Sequence, residues 1–436
     1  MPAADSFDGL VDELIADQFA ANPVLASALG ADGHDDRLPD MTATAVASRE
    51  SADDAWTQRL AGVTDERLSA EQRIDRDLAL MVLRGRAIMR DWADWRRNPD
   101  HYAGPALTGI FSLLLNRIRP EAELASSVAA RLGALPELLD QGIANLDPEL
   151  ASPDLLCRSL GQIAAGAAYA RAVAGEFDDG PGRQRVAAAG ESCVVAPSAP
   201  FTRTMLAVAH YSQPPPFAPV PPEGGRPGHF FVPYPPEGAS PEQVAARLAT
   251  NNRHGAWSIA VHEAYPGHHW HFAWLAANAA AGRARPLRFV LGSTYFVEGW
   301  GLYTEELLRE QGFFRTPEQE LGQQDFRLFR AARIVVDTSL HLGEMTVSEA
   351  VDHMTRHTSL SRETAHAEVL RYCAWPTQAS SYLTGALEID RLRRRWLGEG
   401  HGSLREFHDR AAGAGRLPLG LVERVLFDAA LVETGA

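Results

Sequence analysis

Residues 261–271 read Val-His-Glu-Ala-Tyr-Pro-Gly-His-His-Trp-His, which crowds four imidazoles and a carboxylate into one short stretch. That density points to a metal site. The pattern it approaches is His-Glu-x-x-His, where two histidines one helical turn apart bind Zn²⁺ and the glutamate between them serves a water at the metal as general base. Here Pro266 stands where the second histidine belongs. On an unbroken helix His262 and His268 would lie about 240° apart around the axis, and His262 and His269 would share a face roughly 10 Å apart along it. Neither pair fits one ion. Pro266 cannot donate to the carbonyl of His262 and its ring displaces that carbonyl, while Gly267 tolerates dihedrals that other residues resist. The chain is therefore expected to bulge and absorb two residues, carrying His268 to the second ligand position with Glu263 beside the metal. His269 is the alternative ligand. Trp257-Ser258-Ile259-Ala260-Val261 predicts a buried helix leading in, and His254 and His271 read as supporting or packing residues.

The string His-Glu-Ala-Tyr-Pro-Gly-His-His resembles the signature of the bacterial domain-of-unknown-function 885 family, grouped with the gluzincin-like metallopeptidases, and further segments extend the likeness. Phe296-Val297-Glu298-Gly299-Trp300-Gly301-Leu302-Tyr303 is similar to that family's Glu-Gly-Trp-x-x-Tyr element, and Arg333 to His341 to its Arg-x-x-x-Asp-x-x-x-His stretch. Glu368 to Tyr372, Pro376-Thr377-Gln378 through Tyr382 to Gly385, and the early Asn22-Pro23 to Asp40 region resemble its other motifs. The resemblance implies a metallopeptidase-like fold, a bound Zn²⁺ and a ligand at Glu298.

Composition is consistent with an enzyme. The chain has 436 residues, 45% hydrophobic and 22% charged, enough for one large domain or two lobes. A formal charge of −15 argues against nucleic-acid or anionic-membrane surfaces, and every basic residue is arginine. No apolar run approaches the roughly 18 residues of a membrane span, and Met1-Pro2-Ala3-Ala4-Asp5 lacks the basic and apolar regions of a signal peptide, so a cytoplasmic location is expected. Cys157, Cys193 and Cys373 are odd in number and widely spaced, which suggests core thiols and no disulfide framework.

Helical periodicity dominates the first two hundred residues. Ser69 with Gln72 fits a capping box, and Ile74, Leu78, Met81, Val82, Ile88, Met89, Trp92 and Trp95 follow at three- and four-residue steps. Helices are also predicted over Phe7–Ala21, Pro105–Ile118, Glu121–Leu132 and Leu155–Phe177, punctuated by Asn22-Pro23, Arg119-Pro120 and Gly180-Pro181-Gly182. Asp32, Asp35, Asp36 and Asp40 lack the spacing and closing glutamate of a calcium loop and read as a solvated turn. The proline-rich stretch 213–241 marks the expected boundary between an N-terminal helical lobe, 1–212, and a C-terminal lobe, 242–436, carrying the metal site. Within it, Gly228 to Tyr234 predicts a short edge strand, and the resemblance to gluzincin-like enzymes implies that this strand lies beside the metal helix and pairs with an extended peptide, a loop crossing the surface being the alternative.

A hydrolytic zinc site needs a third protein ligand. Glu298 is the candidate, since a carboxylate in so apolar a segment is costly to bury unpaired, and Gly299 and Gly301 would allow close helix approach. Glu305 reads as a carboxylate orienting a histidine. Arg333, Asp337 and His341 recur every four residues and stack on one helix face as a polar network. Arg371 would hold a substrate carboxylate, and Tyr382, ahead of Tyr372, would donate to a developing oxyanion. The reading is a mostly α-helical fold with a minor β element beside the metal helix. Its activity is zinc-dependent hydrolysis of short peptides or small amides: His262, His268 and Glu298 hold the metal, Glu263 is the general base, and Tyr382, Arg371 or His341 stabilises charge. A metal enzyme of another kind acting on a small amide, and a catalytically silent helical binding protein, are the alternatives.

Overall fold

The computed structural model describes residues 6–177, 193–203, 206, 208–219, 227–235, 238–280 and 285–428. The leader reading at Met1–Asp5, the breaker Gly180-Pro181-Gly182 and parts of the proline-rich stretch lie outside them. The fold is mostly helical. In order it runs α1 (Phe7–Ala21), α2 (Pro23–Leu29), α3 (Ala43–Ala61), α4 (Ala70–Met89), α5 (Asp94–Arg97), α6 (Asp100–Asn116), α7 (Glu121–Asn145) and α8 (Pro153–Ala172). Three strands follow, β1 (Cys193–Pro197), β2 (His210–Ser212) and β3 (Gly228–Val232). The rest is α9 (Pro241–Thr250), α10 (Gly255–Glu263), α11 (His268–Ala280), α12 (Leu287–Val290), α13 (Thr294–Glu310), α14 (Pro317–His341), α15 (Val347–His357), α16 (Arg362–Ala374), α17 (Ser381–Gly398), α18 (Leu404–Gly413) and α19 (Leu419–Phe427).

Local chemistry sets many of the boundaries. Asn22 ends α1 and caps α2 by accepting from the Leu25 amide. The Ser69–Gln72 capping box starts α4 as expected, and reciprocal boxes also open α9, α14, α15 and α18. Two helices run through prolines taken as limits or left unread: α6 begins a turn before Pro105, and α7 continues past Leu132 and through Pro136. The stripe on α4 buries Ile74 and Leu78 but leaves Met81, Ile88 and Met89 exposed. Asp35 is buried on Arg119 at 2.8 Å, so the acidic turn is tied down by an ion pair. Cys157 is exposed, unlike the buried Cys193.

The sheet order is β1-β3-β2, with β3 parallel to β1 and antiparallel to β2. The strand read as an edge is thus central. Its residues 228–232 contain no proline, so every amide can join a ladder, and Pro233 only ends the strand. An edge of the sheet is β2, where Tyr211 pairs with Phe230 and reaches His269 and Phe272 of α11.

The largest apolar core joins Leu14, Leu60, Ile74, Leu78 and Leu83 of the N-terminal helices to Leu287, Phe296, Trp300, Ile389, Leu392 and Leu426. It crosses the boundary expected at 213–241, because the apolar faces of α1–α4 find their partners on helices from the far end of the chain. A second core gathers Ile259, Phe329, Val336, Met354 and Val369 around α10, α14, α15 and α16. Helix α13 meets α17 at backbone contact: a Cβ built on Gly385 would stand 2.0 Å from the Tyr295 carbonyl oxygen, and one on Gly299 2.6 Å from the Gly385 Cα. Gly385→Ala is expected to force these helices apart and cost about 1–3 kcal/mol or more. A urea midpoint equal to that of the native protein would show that the two helices can part at this crossing without cost.

Candidate metal centre

The helix that carries His262 is interrupted in a specific way. Helix α10 ends at Glu263 and α11 begins at His268, with a cis Tyr265–Pro266 peptide between them. Two backbone hydrogen bonds bridge the break, Gly267 to the Val261 carbonyl at 3.1 Å and Trp270 to the Ala264 carbonyl at 3.2 Å. Each spans six residues where an α-helix spans four, so two residues are absorbed. The expected bulge is therefore a full break into two helices. Gly267 is required there, because a Cβ would lie 1.9 Å from the His262 carbonyl oxygen. Trp300 Nε1 donates to the Pro266 carbonyl at 3.0 Å and holds the turn against α13. The approach helix buries only one face: Ser258, Ile259 and Val261 are inside, while Trp257 is 47% exposed.

The break brings His262, His268 and Glu298 together, with one ligand atom from each lying within 4.8 Å of the others. Glu298 Oε2 is 3.4 Å from His262 Nε2 and 3.4 Å from His268 Nε2. Atoms bound tetrahedrally at about 2.0–2.1 Å from Zn²⁺ stand about 3.4 Å apart, so the donor set and spacing fit that ion. His269 is directed elsewhere: its Nδ1 is 2.8 Å from the Tyr211 hydroxyl, and its ring packs on Tyr265. His271 is buried against Phe296 and Trp300, and burial lowers its pKa to about 3. His254 caps α10.

Glu305 orients the first histidine. Its Oε1 is 2.8 Å from His262 Nδ1, and Oε2 accepts from the Ser258 hydroxyl, which leaves His262 Nε2 facing the cluster. Arg330 Nη2 lies 3.7 Å from the same carboxylate. Gly301 lets this happen, since a Cβ there would sit 2.6 Å from the His262 ring. Burial alone would lower the His262 pKa, but hydrogen bonds to Glu298 and Glu305 outweigh it and raise it. Burial raises Glu298, yet hydrogen bonds from both histidines hold it well below the ordinary range. Glu263 has no such partners. It is 6% exposed, its Oε2 makes no hydrogen bond among the described residues, and burial pushes the carboxyl up to about 8.

The Tyr382 ring packs 6.0 Å from that of His262, and its hydroxyl accepts from Gln378 Nε2 at 3.1 Å. The same amide reaches Glu298 Oε1 at 3.4 Å. Arg371 donates to Gln378 Oε1 and, at 3.0 Å, to Glu368 Oε2, so it joins the cluster through Gln378. His341 does not join. It pairs with Asp337 at 3.1 Å and packs on Trp92, while Asp337 accepts from the Thr377 and Ser380 amides and fixes the turn before α17. Arg330, Glu368, Gln378 and Tyr211 were not singled out from sequence. Only Glu368 and Gln378 carried a signal, as members of recognisable motifs.

The sequence matches the model of one family, described as "Bacterial protein of unknown function (DUF885)", over residues 23–191 and 162–426. No curated protein matches it. Among solved structures, "a putative lipoprotein of unknown function" from Shewanella oneidensis superposes with a TM-score of 0.70 at 16% identity, covering 98% of this chain and 100% of that one. A "putative lipoprotein" from Colwellia psychrerythraea gives 0.66 at 15% identity, over 96% and 98% of the two chains. At such identity these likenesses speak to the fold, which is common to all three chains along almost their whole length. With the family model matched across most of the sequence, the break at Pro266 and the converging His262, His268 and Glu298 belong to a member of the bacterial DUF885 family.

Proposed function

We propose that this protein is a zinc-dependent hydrolase of peptide or amide bonds in short substrates, of the gluzincin-like kind. The observation that carries the reading is the 3.4 Å spacing of Glu298 Oε2 from two imidazole nitrogens, with a buried carboxylate on the residue next to one ligand, Glu263, whose Oε2 makes no hydrogen bond among the described residues. His262, His268 and Glu298 would hold the ion, which supplies Lewis acidity toward a carbonyl and toward a water. Glu263 takes one proton from the attacking water. The water oxygen bonds to the carbonyl carbon, the C–N bond breaks, and Glu263 returns the proton to the leaving nitrogen. The Tyr382 hydroxyl, which accepts from Gln378 and donates to no acceptor among the described residues, donates to the carbonyl oxygen as charge grows there. Strand β2, at the sheet edge next to α11, offers backbone groups to an extended chain. A small-amide substrate outside the peptides uses the same ligands and differs only in the pocket.

Elemental analysis of the purified protein tests this first. About one equivalent of zinc is expected per chain, lost in His262→Ala and in His268→Ala and kept in His269→Ala. Zinc retained without His268 but lost without His269 would transfer the ligand role to His269. Absence of any bound or added metal would end the hydrolase reading.

A further inference from the structure

Beside the His262–His268–Glu298 cluster, on α14 and α16, lies a buried ionic group whose charges do not balance. Glu368 Oε2 accepts from Arg333 Nη2 at 2.7 Å, from Arg371 Nη2 at 3.0 Å and from the Tyr372 hydroxyl at 3.0 Å. One carboxylate thus serves two guanidiniums, and all three groups are at most 4% exposed. The neighbouring cations do not change the balance, since Arg330 has Glu305 and Arg158 has Asp100. A buried surplus of positive charge is costly and calls for an anion. Arg333 also has a donor to spare. Its Nε goes to the Tyr372 hydroxyl at 2.9 Å and its Nη2 to Glu368, while Nη1 makes no hydrogen bond among the described residues. Its guanidinium carbon lies 4.7 Å from the centre of the Tyr382 ring, and that ring lies 6.0 Å from the His262 ring. The anion position and the metal-facing imidazole are therefore separated by at most about three residues of extended chain.

Resting on the hydrolase reading above, we infer that the substrate ends in a free carboxylate which docks on Arg333, so that the enzyme cuts within about three residues of a C-terminus. The substrate class is short peptides or N-acyl amino acids with an unblocked C-terminal carboxylate. Arg371 positions Gln378 and shares Glu368; Arg333 touches the substrate. The fixed fork of a guanidinium suits this task, because its parallel N–H groups match a carboxylate as an ammonium does not. The cluster stands on two helices packed into a core, α14 and α16, so the anchor is held before substrate arrives.

The test uses a mixed-sequence library of N-acetylated tripeptides, made once with free C-terminal carboxylates and once as amides, with the zinc-loaded full chain. Free acids are expected to show kcat/KM at least tenfold above amides, mostly through KM. Arg333→Gln should erase that preference with zinc per chain unchanged. Equal rates on acid and amide in the native protein, or a preference surviving in Arg333→Gln, would overturn the inference and leave the hydrolase reading standing. If neither library is cleaved, the hydrolase reading fails separately, and thermal stabilisation of zinc-loaded Glu263→Gln by each library decides the anchor: equal stabilisation overturns it. Should Arg333→Gln not fold, Arg333→Lys keeps the charge without the fork, and an undiminished acid preference there overturns the proposal.

Discussion

Glu263→Gln is expected to keep its full complement of zinc while turnover falls by roughly 10²–10⁴, the range for a positioned general acid–base. The amide preserves the size of the side chain and removes its basicity. The position makes the loss severe: Glu263 is buried, its Oε2 has no hydrogen-bond partner among the described residues, and the Oε2–Nε2 contacts of the cluster belong to Glu298. Glu298→Gln should behave in the opposite order. An amide oxygen is a weaker ligand than a carboxylate, so metal occupancy falls first and activity follows it, recovering in part with excess zinc. Steady-state rates and metal content of both variants separate the two roles. Loss of metal in Glu263→Gln together with retention in Glu298→Gln would exchange them, and a fully active Glu263→Gln would rule out the mechanism.

The second large effect is expected at Glu305, a residue that touches no substrate. Glu305→Ala removes the partner of His262 Nδ1, of the Ser258 hydroxyl and of Arg330 in one step, at a site with 0% exposure. Removing one member of a buried charge pair costs about 3–5 kcal/mol, because the cation left behind has lost its compensation. Losing the acceptor that orients a ligating imidazole weakens metal binding by roughly 10–100-fold. Metal-free Glu305→Ala should therefore unfold at markedly lower urea, and its zinc affinity should drop as well. Glu305→Gln, which keeps the contact to His262 without the charge, should fall between. A Glu305→Ala protein with native stability and native zinc affinity would reduce Glu305 to a bystander.

Much of this was legible in the residues because the relevant physics is local. Caps and breakers act within a few positions, so Phe7–Ala21 and the start at Ser69 follow from their own neighbourhoods. The insertion at Pro266–Gly267 was readable for the same reason, since helix geometry alone excludes both histidine pairs on a straight segment, although a bulge was expected where the helix divides. Glu305 followed from its seven-residue step beyond Glu298. What stayed hidden depends on distant partners. Strand β2 is three residues long and carries no alternation of its own, so its pairing with β3, and with it Tyr211 against His269, comes only from tertiary packing. Arg330 is an arginine on a long helix until α10 and α13 place Glu305 beside it. His341 kept its predicted stack with Asp337, but the turn at Thr377 and Ser380 claims that pair.

The way the largest core is assembled bears on synthesis. Leu14, Leu60, Ile74 and Leu83 emerge early, yet the surfaces that cover them begin at Leu287 and end at Leu426. With about two hundred residues between Leu83 and Leu287, translation at roughly 5–20 residues per second leaves those apolar faces uncovered for about 10–40 s. During that interval the faces of α1–α4 that await α12–α19 are a ready target for chaperones or for aggregation, and a ribosome stalled before α12 would carry a nascent chain whose first helices can close only against one another and α6.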